Sequence, residues 1–62
     1  MTEEQKRELR KRLEEAISAR ESLERLLEAD PDEEDKGAVL FYTRQVQRNL
    51  QAIEDVLTEE QQ

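Results

Sequence analysis

Residues 38–57, AVLFYTRQVQRNLQAIEDVL, decide how this chain is read. They hold both aromatic side chains and carry no acid before Glu54, in a protein whose formal net charge is -7. Val39, Thr43, Val46, Leu50, Ile53 and Leu57 recur at alternating steps of four and three, the spacing that keeps side chains on one seam of an α-helix. A seam of that kind needs an apolar neighbour. At about 100° per residue, Phe41 falls well away from it, in a band with Arg44, Gln45, Arg48 and Ala52, while Leu40 and Tyr42 flank the seam. The helix therefore offers contacts in two directions.

The neighbour lies upstream. Thr2 with Gln5 three residues later forms an approximate capping box, and Glu3 and Glu4 suit the positive end of a helix dipole. From there to Ala29 the sequence has no Gly or Pro and is dominated by good helix formers. Its inward stripe reads Leu9, Leu13, Ala16, Arg20, Leu23 and Leu27, widened by Ile17 and Leu26, again in steps of four and three. Glu8 with Arg12 and Glu21 with Arg25 are favourable i to i+4 pairs, each contributing about 0.3 kcal/mol when exposed.

Between the stripes, Asp30, Pro31 and Glu33 combine a capping residue, a first-turn proline and an acid three positions later, so a new helical turn is expected to start there. Residues 31–36 are almost wholly polar, and Gly37 disfavours helix, so regular packing is expected only from about Ala38. A reversal over residues 30–36 then matches every seam residue: Leu9 with Leu57, Leu13 with Ile53, Ala16 with Leu50, Arg20 with Val46, Leu23 with Thr43, Leu27 with Val39. The spacing predicts an all-α fold, a single-domain antiparallel two-helix hairpin with helix 1 over about 2–29, an acidic connection over about 30–36 and helix 2 over about 37–58. Beyond residue 58 the chain is polar and expected to fray.

Arg20 interrupts the apolar stripe, where an unpaired charge costs several kcal/mol. Two arrangements relieve it. Its stem packs while its head reaches Glu24, or it forms a polar layer that sets register or specificity with Thr43 or Asn49.

Composition narrows the function classes. With no cysteine and no histidine, the chain lacks a disulfide framework, a thiolate zinc site and the commonest general base. The carboxylates of helix 1 lack the Glu-x-x-His partners of bundle di-metal sites, and the acids of residues 30–35 lack the spacing of a twelve-residue calcium loop. No apolar pocket is evident to raise a carboxylate pKa. Neither an enzyme nor a cofactor, metal or small-molecule substrate is therefore expected. No run approaches the roughly 20 apolar residues of a membrane span, so a soluble, cytoplasmic protein is expected. The net charge disfavours nucleic acid in general. The basic run Lys6, Arg7, Arg10, Lys11, Arg12 points in several directions and is expected to face the acidic end of helix 2.

What remains is association. Two helices touch along a line, so flanking residues such as Ile17, Leu26, Tyr42 and Val56 are expected to stay wet and to want a third or fourth helix. That completes a four-helix bundle by homodimerisation or by docking on a heterologous protein. Leu40, Phe41, Tyr42, Arg44, Gln45, Arg48 and Ala52 are the candidate partner-binding residues, since an aromatic with two arginines and no acid has the composition of an interface core.

In length, in the Met1, Thr2, Lys6 opening and in the LEADPDEE bend at residues 27–34, the chain resembles the Rop family of plasmid-encoded hairpins, which dimerise into four-helix bundles and bind paired RNA loops. The resemblance implies a homodimeric bundle and, as an alternative function, RNA-binding regulation. That family's RNA-contacting face lies on the first helix and includes an aromatic; here the first helix has none and carries Glu14. The Lys-, Arg- and Glu-rich helices also resemble designed helical miniproteins.

Overall fold

Two helices of 26 residues each, α1 (Glu3–Glu28) and α2 (Lys36–Gln61), pack antiparallel as a hairpin 45 Å long and 17 Å by 11 Å across. This computed structural model describes residues 1–61. The capping box forms: Thr2 Oγ1 accepts from the Gln5 amide at 3.1 Å, and Gln5 Oε1 accepts from the Thr2 amide at 2.8 Å. Helix 2 was expected to end near Thr58 but continues to Gln61, with the Thr58 hydroxyl donating back to the Glu54 carbonyl at 2.8 Å. Gln62 lies outside the described residues, as do the side chains of Glu60 and Gln61.

The connection differs from the expected cap at Asp30. The Ala29 amide donates to the Arg25 carbonyl at 3.1 Å and the Asp30 amide to the Leu27 carbonyl at 3.3 Å, closing α1, and Asp30 adopts a left-handed conformation at φ 58°, a position usually taken by glycine. Capping falls to Asp32 instead. Its carboxylate accepts from the Glu34 and Asp35 amides at 3.0 and 3.3 Å, while the Asp35 carboxylate accepts from the Asp32 amide at 3.2 Å. A single 3₁₀ turn, Glu33–Asp35, leads from this box directly into α2.

The pairing direction is visible at both ends. Glu4, Gln5 and Glu8 lie beside Val56 and Glu59, while Ser22 and Leu26 lie beside Tyr42. The rotation of the helices is a finding the periodicity did not predict. Of the expected seam, Leu9, Ala16, Leu23, Val39, Val46 and Ile53 are buried or half-buried. The second row of each helix has moved by one residue. Arg12, Ala19 and Leu26 replace Leu13, Arg20 and Leu27; in α2 Asn49 and Val56 replace Leu50 and Leu57, while Tyr42 joins Thr43, which stays half-buried. Leu26, Tyr42 and Val56, expected on the wet flanks, belong to the contact; Ile17 is exposed as expected.

The rotation has a physical reason. It replaces Arg20 in the contact by Ala19, leaving the Arg20 side chain 66% exposed with its head paired with Glu24 at 3.2 Å. The polar residue it brings in, Asn49, satisfies its donor within its own helix, giving a hydrogen bond to the Gln45 carbonyl at 2.9 Å at only 5% exposure. Asn49 is thereby buried without an orphaned group, which a buried guanidinium could not achieve here.

Candidate association surfaces

The same rotation turns a row of leucines toward solvent. Viewed along the hairpin, the sequence winds counterclockwise on one helix and clockwise on the other. Displacements of the same sign from the contact therefore emerge on the same side of an antiparallel pair. Leu13, Ile17 and Leu27 of α1 and Leu50 and Leu57 of α2 accordingly share one broad face, with exposures from 41% for Leu57 to 55% for Leu27. From Leu13 to Leu27 this face runs about 21 Å. Arg20 with Glu24, and Thr43, whose hydroxyl donates to the Val39 carbonyl at 2.8 Å, interrupt it near the middle. The reverse side is different in kind: Glu15, Ser18, Ala19, Ser22, Gln45 and Asn49 line a shallow depression there, closed at one edge by Phe41 and Tyr42.

The size of the exposed surface gives this contrast weight. A folded chain of 7.4 kDa exposes about 4,200 Å² by the usual mass scaling. This one exposes 5153 Å². The excess, about 950 Å², is close to the roughly 800 Å² that each partner contributes to a standard protein–protein interface.

A second surface lies on the side of α2 away from α1. Leu40, Phe41, Arg44, Gln45 and Arg48 come together around a groove of about 340 Å³, joined by Gly37. These are five of the seven residues of the expected partner-binding band. Tyr42 and Ala52 are half-buried, Tyr42 beside Ser22 and Leu26 of α1, although Tyr42 still supports the groove by meeting the Phe41 ring edge-on at 5.3 Å and 80°. Compared with family models, with curated proteins and with solved structures, the chain returns no match. The reading of both surfaces accordingly rests on their geometry.

Gly37 was read from the sequence only as a helix-disfavouring residue, and its place in the groove had no signal in the periodicity. Of the residues assigned to register, Arg20 stands at the surface, Thr43 is half-buried and Asn49 sits in the contact. Two members of the basic run of α1 are engaged locally. Lys6 pairs with Glu3 at 3.4 Å, and Arg12 with Glu8 at 3.0 Å and Glu15 at 3.7 Å, each along the helix rather than across to α2. Among the described residues no three carboxylates converge as a metal site, and no helix is long and apolar enough to cross a membrane.

Proposed function

We propose that this protein is a non-enzymatic association module whose leucine face packs against the same face of a second copy, completing a four-helix bundle. The observation that carries the reading is the rotated seam. A hairpin living alone frees Arg20 by this rotation but leaves Leu13, Leu27, Leu50 and Leu57 in water while Ala19 and Asn49 occupy the contact. A hairpin that meets a second pair of helices divides its apolar surface between two contacts. Covering the exposed half of a leucine or isoleucine is worth about 1 kcal/mol. Five such residues on each of two copies supply on the order of 10 kcal/mol, against an association cost of roughly 4–15 kcal/mol. The half-buried residues beneath the face add to that gain.

RNA binding is the weaker reading, because Lys6 and Arg12 are occupied by acids of their own helix and the chain as a whole is acidic. Sedimentation equilibrium across a concentration series tests the proposal. A mass near twice 7.4 kDa that falls toward one chain on dilution supports it. A single chain at every concentration refutes it.

A further inference from the structure

The groove on the outer side of α2 has three properties that the hairpin itself does not use. The first is electrostatic. Of the ten Lys and Arg residues, eight have an Asp or Glu three or four positions away, the spacing at which helical ion pairs form. Arg44 and Arg48 alone have none: their neighbours at those positions are Leu40, Phe41, Gln45, Gln47, Gln51, Ala52 and each other. Among the described residues neither makes an ion pair or hydrogen bond, in a chain with 17 acids.

The second property is apolar. Phe41 is 56% exposed, yet its ring meets Tyr42 edge-on, so a large apolar surface stands in water one turn before Arg44 and two turns before Arg48. The third is an absence of bulk. Gly37 sits in α2 with no positive φ, and a Cβ added there meets nothing within 4 Å. Neither backbone nor packing asks for glycine, which costs up to about 1 kcal/mol relative to alanine in a helix. What it does is leave one end of the groove clear.

From these we infer that the Gly37–Phe41–Arg44–Arg48 groove docks an acidic amphipathic helix of another protein. An apolar side chain of that helix enters beside Phe41, and two carboxylates one turn apart reach Arg44 and Arg48. The spacing fits, because Arg44 and Arg48 are themselves one turn apart, about 6 Å along the axis. The volume, at the small end of the range for binding pockets, suits one or two apolar side chains. Charge selects the occupant: two arginines in a protein of net charge -7 attract a short acidic segment, whereas a polyphosphate chain meets the repulsion of the whole surface. The groove lies apart from the leucine face, so this inference does not depend on self-association.

The test is selection from a phage-displayed library of helical 14-residue peptides, using the full chain as bait. Recovered peptides are then titrated against wild type, Phe41→Glu, Gly37→Leu and the double variant Arg44→Glu/Arg48→Glu. Acidic peptides with an apolar face are expected, and each variant weakens their binding at least about tenfold. Replacing the peptide's acids by lysine restores binding to the double variant, and amide shifts induced by the peptide cluster at Gly37, Phe41, Arg44 and Arg48. Recovery of no peptide, recovery without acidic bias, indifference to charge reversal, or tighter binding of a homopolymeric RNA at the same residues overturns the inference. All variants sediment as wild type does, which separates failure of this site from failure of the bundle.

Discussion

Leu50→Ala separates what the leucine face does within one hairpin from what it does between two. Leu50 is half exposed in the hairpin, so truncation there forfeits only the buried half of the side chain, about 0.75–1.5 kcal/mol, partly offset by alanine's better helix propensity. In the bundle the exposed half is covered as well, once in each copy. Dimerisation therefore weakens by a further 1.5–3 kcal/mol or so, which raises the dimer Kd roughly tenfold to 150-fold. Sedimentation equilibrium reads that change directly. Thermal melting at two protein concentrations far apart reads it independently, because the proposed binding to a second copy would make the melting temperature of wild type rise with concentration. The variant should melt close to wild type when dilute and well below it when concentrated. An equal loss at both concentrations, with an unchanged dimer Kd, refutes the assignment of this face.

Three further substitutions probe the connection and the contact, each by chemical denaturation at a fixed protein concentration. Asp30→Gly relieves a left-handed conformation that a side chain disfavours and is expected to stabilise by about 0.5–1 kcal/mol; destabilisation would show that the Asp30 side chain matters for another reason. Asp32→Ala removes the box that starts α2, with an expected loss of about 1 kcal/mol, and an unchanged denaturation midpoint would contradict the capping role. Asn49→Leu exchanges the buried polar residue for an apolar one of similar size. It should raise stability by about 1 kcal/mol, and on the expectation that Asn49 sets register it should also broaden or double amide resonances. A less stable variant with a single sharp set of resonances would remove Asn49 from that role.

Helix positions were legible wherever one signal dominated. Thr2 and Gln5 announced the start of α1, and Leu9, Ala16, Leu23, Val39, Val46 and Ile53 announced one row of the contact. The second row was not legible, because each helix carries two overlapping rows one residue apart. Leu13 and Leu50 are more hydrophobic than Arg12 and Asn49, so ranking by hydropathy selects the row that ends in solvent. Deciding between the rows requires weighing Arg20 against Ala19 at the contact, which is an electrostatic question that periodicity does not pose. The connection misled for a similar reason. Asp30 and Asp32 are both competent caps, and only the left-handed turn at Asp30 assigns the role to Asp32. On the outer side of α2 the aromatic and the arginines stood out by composition, whereas Gly37 looked like a defect of the helix and not part of a surface.

The shortness of the link between α1 and α2 sets the order of assembly. With the ends of the two arms held within a few residues of each other, each arm meets the other at an effective concentration in the millimolar range. Zipping of the arms is thus a first-order event completed on the microsecond-to-millisecond scale typical of helical topologies with mostly local contacts. The proposed docking of a second molecule would be second-order and slower at ordinary dilution. A proteolytic nick between Ala29 and Asp35 would abolish that separation of timescales, leaving the four rods of the proposed bundle to find one another by diffusion.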